Sequence, residues 1–258
     1  MSHPLNFSGK IVLVTGSTKN LGRATAELFA EHGATVIINS RHDDDVKRTV
    51  ALLHAKGYSA EGMRADVGEE KEVEEMMANV NDRFGRLDAV VNNAAARAVD
   101  NRTVSELKRA DWDEMFRTNV LGAFYVSKAA LKIMKPQKNG SIINVSSLVA
   151  FGKHPAISTL PYAASKGALI SFTKGLAREL WNNNIRVNAV VLPLLAPRDV
   201  MEYAPNIYRD AAAASPKRQL ISAKEAAATI LFLASEMSST ITGEVVALGG
   251  MNNVTTEF

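Results

Sequence analysis

The fold is decided by the N-terminal stretch Ile11-Val12-Leu13-Val14-Thr15-Gly16-Ser17-Thr18-Lys19-Asn20-Leu21-Gly22. Residues 11–15 are mostly apolar and β-branched, which predicts a buried strand. A helix-period segment follows at 21–32, and Gly33 ends it. A glycine-containing turn between a first strand and a first helix can hold a pyrophosphate, because backbone N–H groups and the helix dipole point into it. The position of the turn therefore favours a nucleotide site, although a plain strand-to-helix loop has the same pattern.

Apolar runs of strand length alternate with helix-period segments along the rest of the chain. Further strands are predicted at 34–39, 59–65, 87–92, 141–146, 185–191 and 244–248, and further helices at 43–56, 69–84, 103–135, 160–182 and 222–235. Non-alternating apolar strands, each separated by a helix, indicate a parallel sheet covered on both faces. We expect one doubly wound α/β domain over residues 1–258, with 194–220 as an insertion over the top of the sheet.

The composition is typical of a soluble globular protein. The chain has 258 residues, 47% of them hydrophobic and 22% charged, which suits a sizeable core. Its net charge is +3 and it has no basic tract, so neither nucleic acid nor a membrane is expected as a partner. Cysteine is absent, and no metal site is predicted. Because the sequence shows no signal peptide and no apolar run long enough to span a bilayer, we expect a cytoplasmic location.

The residues after the second predicted strand indicate which dinucleotide the turn would bind. An Asp or Glu at this place accepts hydrogen bonds from the adenosine ribose. Here the residues are Ser40-Arg41, and no carboxylate is expected to oppose a 2′-phosphate. Arg41 and Lys19 would attract that phosphate, which favours NADP over NAD. The alternative is that they are two surface cations without a joint role.

Two later strand ends carry residues that could contact the adenosine. Asp66-Val67 follows the third strand and could recognise the adenine edge. Asn93, Ala94 and Ala95 follow the fourth strand and could line the adenosine side.

A second chemical motif lies in Pro161-Tyr162-Ala163-Ala164-Ser165-Lys166-Gly167. In a helix, Tyr162 and Lys166 project from one face about one turn apart. A phenol with a pKa near ~10 is a poor acid at neutral pH, but a neighbouring ammonium favours the phenolate. The pair can therefore exchange a proton. An amphipathic helix with a solvated lysine has the same spacing, but the glycine turn and Ser147 upstream favour the chemical interpretation.

In this order and spacing the motifs resemble those of the short-chain dehydrogenase/reductase family over nearly the whole chain. The shared features are the Thr-Gly-x-x-x-x-x-Gly turn, Asp66, Asn92-Asn93-Ala94, Asn119 in Arg117-Thr118-Asn119-Val120, Ser147, the Tyr162/Lys166 pair, and Ile185-Arg186-Val187-Asn188-Ala189 leading to Pro193. The C-terminal residues 241–251 resemble the 3-oxoacyl-carrier-protein reductase branch. The resemblance implies a Rossmann-type sheet of about seven strands.

The resemblance also implies a homotetramer or homodimer built on the helices at 103–135 and 160–182. The sequence supports assembly, because these helices carry more apolar residues than one sheet face needs. Examples are Phe124, Leu131, Leu169, Phe172 and Leu176.

The resemblance further implies catalytic roles for four residues. Tyr162 would exchange a proton with the substrate oxygen, and Lys166 would hold the nicotinamide ribose and lower the pKa of Tyr162. Ser147 would orient a carbonyl, while Ser146 beside it is expected to bond to backbone. Asn119 would bind a relay water; alternatively, it would bond main chain at a helix kink. The cofactor-binding residues implied are Gly16, Ser17, Thr18, Lys19, Asn20, Leu21, Gly22, Ser40, Arg41, Asp66, Val67, Asn93, Ala94, Ala95, Tyr162, Lys166, Pro193 and Ala196.

Four positions depart from the family pattern. Asn20 and Ala95 replace glycines, and Asn20 can keep the turn because asparagine tolerates a positive φ. Leu194 replaces a glycine after Pro193, and Arg198 stands where many relatives have a threonine. The last two changes affect the expected nicotinamide pocket.

The expected function is NADPH-dependent reduction of a small-molecule carbonyl, with a 3-oxoacyl thioester as the leading substrate. One alternative is a dehydrogenase that oxidises a sugar, polyol or steroid alcohol. Another is a nucleotide-sensing protein without turnover. An enoyl reductase is disfavoured, because that branch separates its Tyr and Lys by more than the four residues found here. The segment 194–220, with Tyr203, Ile207 and Tyr208, is expected to form the substrate wall.

Overall fold

The computed structural model describes residues 5–96, 102–152, 160–196, 205–215 and 218–249. The strands are β1 (Ile11–Val14), β2 (Thr35–Ser40), β3 (Ala60–Arg64), β4 (Ala89–Asn92), β5 (Gly140–Ser147), β6 (Ile185–Leu192) and β7 (Val245–Ala247). They form one sheet of seven strands in the order β3-β2-β1-β4-β5-β6-β7. Every pairing is parallel. The expected doubly wound Rossmann-type sheet is confirmed.

The helices cover both faces of this sheet. They are α1 (Asn20–Glu31), α2 (Asp43–His54), α3 (Glu70–Phe84), α4 (Arg109–Phe116), α5 (Gly122–Gln137), α6 (Leu160–Glu179), α7 (Pro205–Ala214) and α8 (Ala223–Ala234). Strand β1 shows the two faces: Val12 and Val14 join the cluster of α1, α2 and α8, whereas Leu13 joins that of α3, α5 and α6. A strand buried on both faces must be apolar throughout, which explains its unbroken apolar sequence.

The helix predicted at 103–135 starts later than expected. The backbone N–H and the hydroxyl of Thr103 both donate to Glu106 Oε2, at 2.6 and 2.8 Å, and close a separate turn. Helix α4 then begins at Arg109, where Asp111 Oδ2 accepts from the Lys108 N–H at 2.7 Å. A π-helical turn, Arg117–Leu121, joins α4 to α5 without a break.

The insertion predicted at 194–220 contains helix α7, which the sequence did not suggest. Leu195 forms a parallel bridge with Ile221, and the Ala196 N–H donates to the Ile221 carbonyl at 2.8 Å. The assignment of this segment to the substrate stays a prediction. In the part of the chain that the structure describes, none of the helices combines the length and hydropathy needed to cross a membrane.

Fewer of the apolar side chains on the two long helices are exposed than the sequence predicts. Leu169 and Leu176 are only 1% and 9% exposed, because they pack in the core of the monomer. Leu131 and Phe172 pack partly against the same core. Of the five residues, Phe124 stands out with 40% of its surface exposed.

Candidate active site

The glycine turn, residues 16–22, joins β1 to α1 and depends on two glycines. Gly16 has a φ of 61°, and Asn20 has a φ of 47°, so the predicted left-handed asparagine is confirmed. At Gly22 a Cβ atom would lie 2.3 Å from the Gly16 carbonyl oxygen and 2.6 Å from Asn93 Nδ2. No real Cβ contact is that short, so the helix can approach the turn this closely only with glycine at this position.

Asn93, which follows β4, holds the turn from the neighbouring strand. Its side-chain amide donates to the carbonyls of Thr15 and Gly16, at 2.9 and 3.1 Å. The Thr15 hydroxyl in turn accepts from the N–H groups of Asn93 and Ala94, each at 3.0 Å. Asn93 was predicted to line the adenosine side, and here it also fixes the backbone that would hold a pyrophosphate.

Asn39 braces the other side of the turn and was missed by the sequence interpretation. Its N–H donates to Ser17 Oγ at 2.9 Å, and the Ser17 N–H donates back to the Asn39 carbonyl at 3.0 Å. The Asn39 side-chain amide donates to the carbonyls of Met63 and Ala65, at 3.1 and 3.2 Å. The sequence feature that could have revealed this role is an asparagine directly after the apolar residues of β2.

A cleft of about 570 Å³ opens beside the glycine turn. It brings together most of the predicted cofactor residues, namely Gly16, Thr18, Lys19, Asn20, Leu21, Gly22, Ser40, Arg41, Asp66, Val67, Asn93, Ala94 and Ala95. Ser17 faces inward and is fully buried. The cleft thus contains the residues predicted for the adenosine and pyrophosphate half of a dinucleotide, and that assignment stays a prediction. Tyr162, Lys166, Pro193 and Ala196 are not part of its lining.

The proposed 2′-phosphate end of the cleft carries both predicted cations. Lys19 and Arg41 line it and are exposed. Arg41 Nε lies 3.3 Å from Nε2 of His42, a further lining residue. The absence of a carboxylate opposite the 2′-phosphate stays a prediction; Asp45, in the first turn of α2, also lines the cleft. An ion pair of 3.5 Å with Arg48 partly offsets that charge.

The end of the cleft predicted to hold adenine contains a cluster of charges. Asp66 Oδ1 accepts from the Gly68 N–H at 2.9 Å, and Arg117 Nη1 donates to Asp66 Oδ2 at 3.2 Å. Arg117 had been noted only as a neighbour of Asn119. Partial burial lowers the pKa of Arg117, but attraction by Asp66 and Glu114 outweighs this effect, so the pKa is raised and the guanidinium stays charged.

Tyr162 and Lys166 lie on one face of α6, as the four-residue spacing predicts. Lys166 Nζ is 5.6 Å from the centre of the Tyr162 ring. Lys166 is only 2% exposed, and its ammonium donates to the Val145 carbonyl on β5 at 2.7 Å. Ser146 Oγ donates to the Lys166 carbonyl at 2.9 Å, which confirms the structural role expected for this serine. Strand β5 thus fixes the position of the Lys166 ammonium.

Ser147 and Asn119 belong to two elements that pack against α6. Ser147 is the half-buried last residue of β5, and its Oγ lies 3.5 Å from the Val149 N–H that it caps. Asn119 Oδ1 accepts from the Ala96 N–H at 2.8 Å, and its Nδ2 donates to Ser165 Oγ at 2.9 Å. These bonds fit the alternative role of a kink residue that bonds main chain, and the relay water stays a prediction.

The substrate side is only partly described. Pro193 and Leu194 follow β6 and are half-buried. Arg198 and Tyr203 lie outside the described residues, as do the side chains of Ile207 and Tyr208.

Comparisons with known proteins agree with this geometry. Residues 16–252 match a family model described as "Enoyl-(Acyl carrier protein) reductase". The chain is 34% identical to a 3-oxoacyl-[acyl-carrier-protein] reductase of Thermotoga maritima, over 95% of this chain and 98% of that protein. A crystal structure of a 3-oxoacyl-[acyl-carrier protein] reductase from Brucella melitensis superposes with a TM-score of 0.88 at 33% identity, covering 96% of this chain and 92% of the other.

A second solved structure with a similar fold is a dehydrogenase of a different substrate. It is a gluconate 5-dehydrogenase from Burkholderia cenocepacia in complex with NADP and tartrate, with a TM-score of 0.86, 27% identity and 96% of each chain covered. The matched family model, the relatives and the fold agree with the motifs at the carboxyl edge of the sheet. The chain therefore belongs to the short-chain dehydrogenase/reductase family of oxidoreductases.

Proposed function

We propose that the protein is an NADPH-dependent reductase of a small-molecule ketone. The observation that carries the proposal is the buried ammonium of Lys166, 5.6 Å from the Tyr162 ring. A positive charge near a phenol favours the phenolate, which is the form a tyrosine needs to exchange a proton at neutral pH. Ser147 ends the strand beside them, where its hydroxyl can donate to the same substrate oxygen.

The chain's residues fit a dinucleotide at the neighbouring cleft. The contact of Gly22 with Gly16 leaves the N-terminus of α1 close to the turn, as a bound pyrophosphate requires. Lys19 and Arg41 would hold the 2′-phosphate, and Lys166 the nicotinamide ribose. A bound NADPH would supply the hydride. Tyr162 would release its hydroxyl proton to the carbonyl oxygen, and Ser147 would stabilise the charge that develops there.

A 3-oxoacyl thioester is the leading substrate class. The support is the identity of 34% to a 3-oxoacyl-carrier-protein reductase over nearly the whole of both chains. A sugar acid is the second candidate, supported by the TM-score of 0.86 to the gluconate 5-dehydrogenase from Burkholderia cenocepacia at 27% identity. The proposal includes a cytoplasmic location and a homotetramer or homodimer.

Turnover of a substrate panel tests the proposal. Acetoacetyl-coenzyme A, other 3-oxoacyl thioesters and 5-oxogluconate would each be offered with NADPH, and the loss of reduced-nicotinamide absorbance would be measured. The expected result is fastest turnover with the thioesters. Faster turnover of 5-oxogluconate would favour the sugar-acid dehydrogenase. Tight NADPH binding without turnover of any carbonyl or alcohol would favour the nucleotide-sensing alternative.

A further inference from the structure

Arg117, the first residue of the π-helical turn, contacts three carboxylates from two parts of the chain. Its Nη1 donates to Asp66 Oδ2 at 3.2 Å and to Glu69 Oε1 at 3.0 Å, and its Nε donates to Glu114 Oε2 at 3.4 Å. Asp66 and Glu69 belong to the connection between β3 and α3, whereas Glu114 belongs to α4. The guanidinium therefore ties the helix that contains Asn119 to the loop at the adenine end of the cleft.

The contact involves two residues of the cleft wall. Asp66 and Glu114 line the cleft, and Arg117 does not. The Asp66 carboxylate is held at both oxygens, by the Gly68 N–H at Oδ1 and by Arg117 at Oδ2. Each carboxylate oxygen has two acceptor positions, so a fixed carboxylate can still accept a hydrogen bond from a ligand. With 19% of its side chain exposed, Asp66 remains open to the cleft.

Gly68 allows the guanidinium to lie this close. A Cβ atom at Gly68 would be 2.4 Å from Arg117 Nη1 and 2.9 Å from Cζ. Because these atoms belong to the end of a flexible side chain, an alanine at 68 would displace the guanidinium rather than break the loop. The protein thus offers a way to move Arg117 without changing any charge.

We propose that Arg117 is a positioning residue for adenine, because it orients the Asp66 carboxylate to accept a hydrogen bond from the exocyclic amine of that base. The inference rests on the proposed function, since it takes the cleft to be the dinucleotide site. The group that Arg117 helps to recognise is the amino group of adenine, which hypoxanthine lacks.

Binding of NADPH and of its deaminated analogue, nicotinamide hypoxanthine dinucleotide phosphate in the reduced form, tests the inference. Both dissociation constants would be measured from the fluorescence of the bound nicotinamide. We expect the wild type to prefer NADPH by about tenfold, the size of one good hydrogen bond to a charged acceptor. Arg117→Gln and Gly68→Ala should each bring that ratio close to one.

Arg109→Gln is the matched control. Arg109 lies on α4, is 90% exposed and pairs with Asp113 at 3.2 Å, so this variant removes an arginine and an ion pair away from the cleft. It should keep the wild-type ratio.

Three outcomes would overturn the inference. A wild-type ratio in both Arg117→Gln and Gly68→Ala would show that Arg117 does not position Asp66. Equal weakening of both dinucleotides would assign Arg117 a purely structural role. If the wild type bound NADPH and the hypoxanthine analogue equally well, a hydrogen bond from the adenine amine to Asp66 would be excluded. If the wild type bound no dinucleotide, the proposed function would fail as well, and this result is distinct from the other three.

Discussion

Lys166 Nζ lies 5.6 Å from the centre of the Tyr162 ring and donates to the Val145 carbonyl. The sheet therefore fixes the ammonium, while the phenol stands one helical turn before it on α6. This arrangement separates two roles that substitution can test, proton exchange at Tyr162 and charge at Lys166.

Tyr162→Phe should abolish turnover and leave the dissociation constant of NADPH nearly unchanged, because it removes the hydroxyl and keeps the ring. General acid catalysis contributes about 10²–10⁴-fold, so steady-state rates will resolve the loss. Lys166→Ala should impair both turnover and binding. Tyr58→Phe, in the connection between α2 and β3 and outside the lining of the cleft, is the control. Activity of Tyr162→Phe within a few-fold of wild type would mean that the proton comes from another group.

Arg41→Asp should weaken NADPH much more than NADH. A charge-assisted contact to the phosphate is lost and a new carboxylate is added at the proposed phosphate site, so we expect a loss of about tenfold or more in NADPH affinity. Titration of both cofactors by fluorescence gives the comparison. Arg109→Asp is the matched control, since Arg109 pairs with Asp113 and neither residue lines the cleft. Equal affinity of the wild type for NADH and NADPH would refute the assignment of Arg41.

Gly22→Ala should prevent dinucleotide binding and lower thermal stability. The new methyl group would lie 2.3 Å from the Gly16 carbonyl oxygen, so the turn or α1 must shift.

Gly175→Ala in α6 is the matched control, because an added Cβ at this position meets no neighbouring atom within 4 Å. It should stabilise the protein by about 0.5–1 kcal/mol, as alanine does in a helix interior. Thermal unfolding and NADPH binding measure both effects; a Gly22→Ala protein that binds NADPH normally would contradict the prediction.

Phe124→Asp should shift the protein towards the monomer, since Phe124 on α5 remains 40% exposed after the monomer has formed its core. Light scattering at micromolar concentration should give a multiple of the monomer mass for the wild type and a smaller mass for the variant. Leu52→Asp on α2, at a residue 49% exposed, is the control for a general loss of apolar surface. A wild-type protein with the monomer mass would exclude the proposed assembly.

Some elements could be predicted because they depend on short stretches of chain. The left-handed conformation of Asn20 follows from the tolerance of asparagine for positive φ, and the structure confirms it. The helix predicted from residue 103 starts later, although Thr103 and Glu106 have the spacing of a helix N-terminus. Their hydrogen bonds close an isolated turn, and the helix begins only at Arg109.

By itself the sequence determined the alternation of strands and helices, the glycine turn and the pairing of Tyr162 with Lys166. Each of these follows from residues close together in the chain, where local periodicity and backbone conformation decide the result. Only the tertiary structure decided which distant residues meet. Asn93 holds Thr15 from 78 residues away, and Arg117 reaches Asp66 across 51 residues. Such contacts depend on the order of parallel strands and on the helices that cross between them, and no local pattern encodes these features.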